Sequence, residues 1–523
     1  MTTLKINEFQ KRIRSVLSDE SFLFVQHLLA CNASVEVYLV GGAVRDLLLG
    51  RDTKDYDFVV RNLSLPKMEK LLRQFGEVNI VGKRFGVLKF VPHSKKKNRG
   101  AFEPFDIALP RLEFSIGETG HYRDFQVTTD YQLEITSDLS RRDFTINAIC
   151  WDVRNEKIVD PFNGMADIQK KVIRAVGNPD LRFREDYSRM LRALRFSCSL
   201  GFAIESKTFD ALQKKISSIN KKIRPTTLLM KKKKDENVLR VVPYEVIARE
   251  MIRTFKADPI PACDYYDSLR LFDLLIPEMK PMRSCPQDPR WHSEGDVWTH
   301  SRLCLEQLVG ARFKKEFNGE VPDATLIFTA LFHDIGKAYT IQTPEKNHVD
   351  RIRFHGHDRV GAEIAQKCFE RLRMLSVEKD PVDPSVVAWL IKNHLILLNS
   401  DIKTLKHTTL EKYFFRIPSL GRTLLKLIYV DSLASVRADG KTSLGNYRQC
   451  KKRLAEFLRT AGAQKEMLPK PIISGDDVMN TLRIAPGPQV GETLMRVREE
   501  QLAGRVKTKK DAIIFLKKIK IKK

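Results

Sequence analysis

The spacing of hydrophobic and polar positions changes near residue 160 of this 523-residue chain. Before that point, short runs rich in β-branched residues alternate with one or two helical stretches, and these runs are VEVYLVGG, YDFVV, EVNIVG, GVLKFV, FDIAL and FQVTTD. From residue 162 onward the apolar positions follow a helical period almost to the end. The pattern predicts a multidomain protein, with an α/β or α+β head followed by all-α domains.

Clusters of turn residues predict further boundaries, because the chain is too long for one hydrophobic core. Such clusters lie near residues 277–290 and 465–475. The Lys-rich segment 231–240 is typical of an exposed insertion. We therefore expect four domains, over residues 1–160, 161–280, 281–460 and 461–523.

The charge of the chain indicates a polyanionic partner. Lysines and arginines number 91 against 65 acidic residues, which gives a net charge of +26. A positive field of this kind favours nucleic acid. An acidic membrane is the rival partner, but no basic helix with a rich aromatic face is found. The last residues, RVKTKKDAIIFLKKIKIKK, are expected to contact phosphates.

Other sequence features predict a cytoplasmic protein. No apolar run approaches the ~20 residues that span a bilayer, and the first residues lack the apolar core of a secretion signal. The eight cysteines are scattered without a CxxC pair, so neither a disulfide framework nor a zinc ribbon is indicated. We expect a reducing compartment and no membrane.

The stretch YLVGGAVRDLLLGRDTKDYDF combines two features of a nucleotide site. Gly41 and Gly42 follow a predicted strand, where a backbone without side chains can approach a phosphate, and Arg45 is near enough to add a charge-assisted bond. Asp55 and Asp57 lie two residues apart, so on a strand they share one face. Paired carboxylates suit Mg²⁺, which keeps substrate phosphates as further ligands.

A third carboxylate completes the predicted metal site. The candidate is Asp106, in FEPFDIAL, which follows the next apolar strand. Three carboxylates from neighbouring strands are suited to a two-metal site for in-line phosphoryl transfer.

Five ordered motifs identify a family. LVGGAVRDLLLG followed by DYDFVV resembles the head of the tRNA nucleotidyltransferase and bacterial poly(A) polymerase superfamily, which has a polymerase-β-like nucleotidyltransferase fold with a mixed sheet. SRRDFTINAIC, DPFNG and REDYSRMLRALRF resemble the RRDFTxNA, DPxxG and EDxxR motifs, and residues 110–130 resemble the flexible loop between the third carboxylate and RRD. The resemblance covers about residues 20–275.

The resemblance implies a reaction and a set of site residues. A 3′-hydroxyl of tRNA would attack the α-phosphate of CTP or ATP, with Asp55, Asp57 and Asp106 holding two Mg²⁺ ions. Asp186 and Arg189 would pair with the edge of the base, and Arg142 and Asp143 would hold the triphosphate or ribose. The implied nucleotide-binding residues are Gly41, Gly42, Arg45, Asp46, Arg142, Asp143, Asn147, Asp186, Arg189 and Arg192.

Helical periodicity gives a separate prediction for the EDxxR segment. At 100° per residue, an apolar stripe forms on one side, and Asp186, Arg189 and Arg192 fall opposite it. Without the family context, these charged side chains would be assigned to a solvent-exposed face. The predicted stripe is Phe183, Tyr187, Met190, Leu191 and Leu194.

Histidines and acids between residues 292 and 431 form a second constellation. TALFHDIGK places an Asp beside a His within an apolar helix, which is costly without a metal or a partner. The region 285–440 resembles an HD-domain phosphohydrolase, with the complete order H…HD…H…H…D. The resemblance implies a transition metal or Mg²⁺/Mn²⁺, leaves His355 outside the pattern, and maps the ligands to His300, His333, Asp334, His357, His394 and Asp431.

The sequence leaves several functions open. The main prediction is a bacterial-type enzyme with head, helical neck and body, HD domain and basic tail that adds CCA to the tRNA 3′ end. A poly(A) polymerase has nearly the same motifs and differs mostly in product length and loop behaviour. A CC-adding or an A-adding enzyme is equally compatible, because one sequence does not show how loop 113–124 switches specificity. An HD phosphohydrolase with an RNA-binding head, or a non-catalytic RNA-binding protein, belongs to another class. Insertions at 93–104 and 231–240 bear on the tRNA path, and the oligomeric state is not indicated.

Overall fold

The computed structural model describes residues 3–81, 86–94, 104–115, 125–223, 239–397, 403–463 and 467–518. These residues form two compact units, 1–274 and 275–523. The division falls close to the boundary expected at residue 280, whereas the other domain boundaries stay predictions. Most of the Lys-rich insertion, of the connection before Asp106 and of loop 113–124 lies outside the described residues.

Strands lie mainly in the first unit. They are β1 (Glu36–Val40), β2 (Asp57–Arg61), β3 (Gly76–Val81), β4 (Val87–Pro92), β5 (Phe105–Ala108), β6 (Arg111–Ser115), β7 (Phe125–Thr129), β8 (Cys150–Asp152), β9 (Lys157–Val159), β10 (Val172–Ile173), β11 (Ala203–Ile204), β12 (Lys222–Ile223) and β13 (Leu239–Arg240). Seven of these strands form the mixed sheet of the head, in the order β3-β4-β5-β2-β1-β8-β9. Within it β2 and β5 are parallel, and the other neighbouring pairs are antiparallel.

All six strand predictions are confirmed, although FQVTTD is not part of the main sheet. It forms β7, which pairs with β6 in a separate antiparallel ribbon. Alternation along β2 places Phe58 in an aromatic cluster with Phe24 and Phe105. Val59 packs on the opposite face with Tyr38. The sheet is therefore covered on both faces, and Asp57 and Asp106 project from the face opposite the aromatic cluster.

The remainder is helical, as the periodicity predicted, apart from the two-residue strands β10 to β13. The helices are α1 (Thr3–Leu17), α2 (Leu23–Cys31), α3 (Gly42–Leu48), α4 (Leu65–Leu72), α5 (Ile135–Ser140), α6 (Gly164–Lys170), α7 (Pro179–Glu185), α8 (Ser188–Leu200), α9 (Ser206–Lys215), α10 (Tyr244–Ala257), α11 (Pro259–Ser268), α12 (Leu271–Leu275), α13 (Val297–Val309), α14 (Ala311–Glu316), α15 (Ala324–Phe332), α16 (Lys337–Thr340), α17 (Pro344–Asn347), α18 (His357–Arg371), α19 (Pro384–Asn393), α20 (His407–Leu410), α21 (Pro418–Ala434), α22 (Gly445–Thr460), α23 (Gly475–Leu482), α24 (Pro488–Leu502) and α25 (Lys509–Lys518).

The prediction of one continuous helix through the EDxxR motif is wrong. Helix α7 ends at Glu185, Asp186 adopts an extended backbone, and α8 begins at Ser188. The Asp186 carboxylate accepts a hydrogen bond from the Ser188 N–H at 2.8 Å, which satisfies a free donor at the start of α8. The predicted apolar stripe is confirmed nonetheless, since all five of its side chains are buried.

The second unit is a helical assembly around α13, α15, α18, α19 and α21. The tail after residue 467 has its own hydrophobic core, in which Val478, Val497 and Leu516 bring α23, α24 and α25 together. All eight cysteines are free, which agrees with the expected absence of a disulfide framework. Among the described residues, the structure contains no helix long and apolar enough to cross a membrane.

Candidate functional site

The head contains an open cavity of about 680 Å³ between the sheet and the first helices that follow it. Every carboxylate and nucleotide-binding residue predicted for the head lines this cavity. The structure therefore brings together residues that are up to about 150 positions apart in the chain, although their individual roles stay predictions. Further arginines line the same cavity, at positions 111, 141, 195, 249 and 253.

The carboxylates meet because β2 and β5 are parallel neighbours. Asp57 is the first residue of β2 and is in register with Asp106 on β5. Asp55 lies two residues before Asp57, outside the strand, so the prediction that both belong to one strand is wrong by two positions. Burial, followed by the neighbouring Asp55 carboxylate, raises the pKa of Asp57 to about 7. Crowded carboxylates of this kind are stabilised by a bound cation.

The carboxylate set fits a divalent cation. The Oδ1 atom of Asp106 is buried and accepts no hydrogen bond, and Lys89 Nζ approaches it only to 3.6 Å. A buried, unsatisfied carboxylate oxygen beside two further carboxylates is the all-oxygen environment that Mg²⁺ prefers. Asp55, Asp57 and Asp106 are accordingly the residues that would hold it.

Gly41 separates the end of β1 from the start of α3 and has φ +71°. A Cβ at this position would lie 2.6 Å from Nη1 of Arg142 and 4.0 Å from the Asp57 carboxylate. The glycine therefore admits the Arg142 guanidinium beside the Asp57 carboxylate. This close approach is a role that the sequence reasoning, which assigned the glycine to phosphate contact, did not foresee.

A chain of hydrogen bonds crosses the floor of the cavity. Arg45 donates Nε and Nη2 to the Asp46 carboxylate at 2.9 and 3.0 Å, and Nη1 to Asn147 Oδ1 at 2.6 Å. Asn147 in turn donates to Asp143 at 3.0 Å, and Arg192 donates Nε to the other Asp143 oxygen at 2.8 Å. These hydrogen bonds hold Arg45 and Arg192 in place before any ligand binds, which lowers the entropy cost of ordering the two side chains on binding.

Asp143 carries a negative charge within this series of hydrogen bonds. Burial would raise the pKa of Asp143, but the Arg192 guanidinium and the Asn147 hydrogen bond bring it below its ordinary value. Asp143 is therefore ionised at neutral pH. Burial would lower the pKa of Arg192, but the Asp143 carboxylate outweighs this effect and the pKa of Arg192 is raised.

Arg189 is almost fully buried, contrary to the solvent-exposed face that periodicity alone indicated. Its guanidinium donates to Glu185 at 2.5 Å, to the Arg182 carbonyl at 3.2 Å and to the Arg141 carbonyl at 3.1 Å. Asp186 lines the same cavity. The three hydrogen bonds hold the Arg189 guanidinium in one orientation.

Asp138 is a site residue that the sequence analysis missed. It is fully buried and accepts from Arg141 at 2.7 Å and from Arg142 at 3.3 Å. Burial would raise the pKa of Asp138, but the guanidiniums of Arg141 and then Arg142 have the larger, opposite effect. The pKa of Asp138 therefore lies below its ordinary value. A signal was present, since Asp138 precedes the arginines by three and four positions, the spacing of helical neighbours.

The second unit brings the six predicted HD residues together around Asp334. Its Oδ2 lies 3.7 Å from His300 Nε2 and 3.3 Å from His333 Nε2. Its Oδ1 lies 3.5 Å from His357 Nε2 and 3.7 Å from His394 Nε2. Asp334 therefore joins two subsites, and Asp431 completes the first of them.

Each of the four histidines is oriented by a hydrogen bond from Nδ1, which leaves Nε2 facing the cluster. A metal-binding histidine is usually held in this way. The acceptors are Glu294 for His300 at 2.8 Å, the Ala330 carbonyl for His333 at 2.8 Å, the Phe354 carbonyl for His357 at 2.7 Å and the Ile391 carbonyl for His394 at 2.5 Å.

The HD residues also fit a metal. Nε2 of His333 and Nε2 of His357 are buried without a hydrogen-bond partner. Gly336 allows the backbone at His357 to approach the segment after His333 and Asp334, because a Cβ at position 336 would lie 2.0 Å from the His357 carbonyl oxygen. His355, which the sequence analysis left out of the pattern, is exposed.

Two groups beside the HD cluster were not predicted. Glu294 Oε1 accepts from both His300 and His292, and its Oε2 accepts from the Val436 N–H. Lys337 Nζ lies 2.7 Å from Asp334 Oδ2. Burial would raise the pKa of Asp334, yet His333 and Lys337 bring it well below its ordinary value.

Comparison with known proteins identifies the two parts of the chain. The family model of the poly(A) polymerase head domain matches residues 37–174, and that of the HD domain matches residues 297–419. The head match contains all three predicted carboxylates, and the HD match contains five of the six predicted HD ligands, from His300 to His394.

Similar proteins extend along nearly the whole chain. An A-adding tRNA nucleotidyltransferase of Deinococcus radiodurans is 30% identical over 92% of this chain and 94% of its own length. A multifunctional CCA protein of Acinetobacter baumannii is 29% identical over 90% and 97%. The solved structure of the Bacillus stearothermophilus CCA-adding enzyme in complex with CTP has the same fold, with a TM-score of 0.58, 20% identity and 95% of each chain covered. This chain belongs to the tRNA nucleotidyltransferase family, a family of transferase enzymes.

Proposed function

We propose that this protein adds C and A to the 3′ end of tRNA, using CTP and ATP, by two-metal phosphoryl transfer. The observation that carries the proposal is the register of Asp57 and Asp106 on parallel strands, beside Asp55 and inside an arginine-lined cavity. Family membership supports tRNA as the acceptor, and the net charge of +26 suits it.

The carboxylates and the arginines have separate proposed roles. Two Mg²⁺ ions held by Asp55, Asp57 and Asp106 would supply Lewis-acid stabilisation at the attacked phosphate and at the departing pyrophosphate. Arg142, beside Gly41, would bind the negative phosphate oxygens next to that centre. Arg45 and Arg192 enter the site already held by Asp46, Asn147 and Asp143, so that triphosphate binding does not have to order them.

Base choice is proposed to come from Asp186 and Arg189. A carboxylate accepts from the exocyclic amine of C or A, and a guanidinium donates to ring acceptors. Since U and G present a carbonyl in place of that amine, they would leave the Asp186 carboxylate unpaired, which disfavours them.

The number of nucleotides added is the finer part of the proposal. The named relatives include an A-adding enzyme and a multifunctional CCA protein. We propose the full CCA addition, with CC addition, A addition and poly(A) synthesis as the outcomes that would replace it.

The test supplies Mg²⁺, labelled CTP or ATP and tRNA transcripts that end before CCA, after C or after CC. Growth that stops at CCA supports the proposal, and addition of only C or only A selects a partial enzyme. Long A tracts would instead indicate a poly(A) polymerase. Asp57→Asn should reduce incorporation by about 10³-fold, because metal stabilisation is worth several kcal/mol.

Asp52→Asn is the matched control for that variant. Asp52 lies five residues earlier, is fully exposed and accepts a hydrogen bond from Arg12 at 3.2 Å. Its substitution should leave incorporation unchanged. Equal losses in the two variants would contradict the assignment of Asp57 to the metal site.

A second candidate activity is a metal-dependent phosphohydrolase in the HD domain. The observation that favours it is Asp334, whose two oxygens face different pairs of histidines. Two subsites joined by a carboxylate suit hydrolysis of a phosphate ester, and we propose RNA ends with a 2′,3′-cyclic or terminal phosphate as substrates.

The hydrolase is tested by phosphate release from such RNA ends in the full-length protein. His333→Ala should abolish release and leave nucleotide incorporation intact, and Asp57→Asn should do the reverse. Phosphate release that persists in His333→Ala would contradict the proposed hydrolase activity and would leave the proposed transferase activity unaffected.

A further inference from the structure

We propose that Cys304 is a metal ligand in the HD site, so that one subsite takes a borderline cation such as Zn²⁺ in preference to Mg²⁺. This inference rests on the proposed metal binding of the HD site. It adds a sulfur ligand that lies outside the H…HD…H…H…D pattern.

The position of Cys304 on α13 directs it into the cluster. It follows His300 by four residues, one helical turn, so the two side chains share a face. Its Sγ lies 3.7 Å from His300 Nε2. Cys304, His300, His333 and Asp431 each offer a ligand atom, and these atoms lie within 4.8 Å of one another.

Three of the separations lie near those of a tetrahedral centre. With metal–N bonds of about 2.0 Å and metal–S bonds of about 2.3 Å, tetrahedral ligand atoms lie roughly 3.3–3.6 Å apart. The observed separation is 3.7 Å from Sγ to His300 Nε2 and 3.1 Å from that nitrogen to Asp431 Oδ1. From His333 Nε2 to the same oxygen it is 3.6 Å. The other separations are at most 4.8 Å, so a cation can bind among the four atoms after small side-chain movements.

An ordinary buried cysteine would explain the burial of Cys304 but not its surroundings. Its side chain is fully buried, as free cysteines often are. However, His333 Nε2 is also buried and makes no hydrogen bond, its Nδ1 is already bonded to a carbonyl, and carboxylate oxygens of Asp334 and Asp431 lie 3.3 and 3.6 Å from it. A buried nitrogen that lies near a thiol and two carboxylates without a hydrogen bond of its own is well satisfied by a cation bound among these groups.

The sulfur makes the two HD subsites different. The other subsite contains His357 and His394 together with Oδ1 of Asp334, whose Oδ2 faces the first subsite, and so it has nitrogen and oxygen donors only. Thiolate ligands select Zn²⁺ and similar ions over Mg²⁺. On binding, the metal–sulfur bond forms as the S–H bond breaks, and the proton passes to water.

The consequence is a chain with two kinds of cation site. The head offers oxygen ligands from three carboxylates, suited to Mg²⁺, whereas the HD domain offers nitrogen, oxygen and sulfur.

The experiment titrates Co²⁺ into the metal-stripped, full-length protein under a non-thiol reductant and records the near-ultraviolet spectrum. Thiolate-bound Co²⁺ produces an intense sulfur-to-cobalt band that nitrogen and oxygen ligands do not produce. We expect the band in the wild type, its loss in Cys304→Ser, and its retention in Cys450→Ser. Cys450 is a suitable control because it is equally buried, on α22, in no metal-binding group of the described residues.

A measurement on the unmodified chain guards against a folding defect in the variant. X-ray absorption of the Zn²⁺-loaded wild type should show a sulfur shell at about 2.3 Å. Cobalt binding that depends on His333 but gives no sulfur band or shell would overturn the role of Cys304 and leave HD metal binding standing. Cobalt binding that is the same in the wild type and His333→Ala would overturn both.

Discussion

The guanidinium of Arg142 occupies the space beside Gly41 that any other residue's Cβ would fill. That Cβ would lie 2.6 Å from Arg142 Nη1, and the glycine has φ +71°. Arg142 is in turn bonded to the fully buried Asp138 at 3.3 Å. The turn after β1 and the RRD segment are therefore built as one unit, although about 100 residues separate them in the chain.

Gly41→Ala should reduce nucleotide incorporation by about 10²-fold, the effect of displacing a positioning group by about 1 Å. The positive φ should also cost about 1–3 kcal/mol of stability. Initial rates and thermal unfolding measure the two effects. Gly201→Ala is the control, because Gly201 has φ +68° but no atom within 4 Å of its Cβ position. Gly201→Ala should reduce the stability of the fold and leave the rate of nucleotide incorporation unchanged. A comparable loss of activity in that variant would refute the steric explanation.

Asp138→Asn should raise the KM for the nucleotide about tenfold, equivalent to roughly 1.4 kcal/mol. Loss of the buried carboxylate leaves Arg141 and Arg142 without their shared partner, so stability should also fall by about 3 kcal/mol. Steady-state kinetics with CTP, beside denaturant unfolding, test both effects.

Glu36→Gln is the companion variant for Asp138→Asn. It removes a carboxylate from Arg61, which is buried in the same sheet but outside the cavity lining. This variant should be destabilised with an unchanged KM. An increase of KM in both variants would show that general loosening, not arginine placement, is responsible.

Glu294→Gln should weaken metal binding in the HD domain by about 10- to 100-fold, as for other groups that orient a metal-binding histidine. The Glu294 carboxylate accepts from His300 Nδ1 at 2.8 Å and so keeps Nε2 available to a cation. Equilibrium dialysis with Zn²⁺ measures the change. Glu320→Gln, which removes a carboxylate paired with Lys426 outside the HD cluster, should bind Zn²⁺ normally. Unchanged affinity in Glu294→Gln would count against its orienting role.

Glu499 makes the stability of the tail pH-dependent. It accepts from the N–H groups of His407 and Thr408 at 2.9 and 2.8 Å and thereby caps α20. Burial raises the pKa of Glu499, but these hydrogen bonds bring it below its ordinary value. Because the folded pKa is lowered, the contribution is present above the unfolded pKa of about 4.3 and is lost as pH falls through the lower, folded value.

Glu499→Gln should therefore cost about 1 kcal/mol at pH 7, as for the loss of a helix cap. The difference from the wild type should shrink below about pH 4. Denaturant unfolding at several pH values is the measurement. Glu492→Gln, an exposed position on the same helix α24, should behave as the wild type throughout. A deficit in Glu499→Gln that persists at low pH would contradict the prediction.

The strands of the head were predictable because their residues carry the pattern locally. Phe58 and Val59 alternate between two buried faces, and the runs around them are bounded by turn residues. The short strands β8 and β9 were missed, since three-residue strands leave little periodicity to detect. Their pairing with β1 is a tertiary property.

The break at Asp186 shows where local periodicity misleads. The apolar stripe continues from α7 into α8, so the sequence resembles one helix. The backbone turns at Asp186 because its carboxylate caps α8, a hydrogen bond that competes with helical continuation.

The sequence by itself determined the change from an α/β head to helical domains, the two sets of chemical groups and the family. These depend on residue type and spacing along the chain, which periodicity and motifs record directly. Only the tertiary structure decided that Asp57 and Asp106 are register partners, that Arg142 needs the space at Gly41, and that Cys304 and His333 have ligand atoms within 4.8 Å of each other. Such relationships join residues distant in the chain, and they are set by strand order and helix packing rather than by any local pattern.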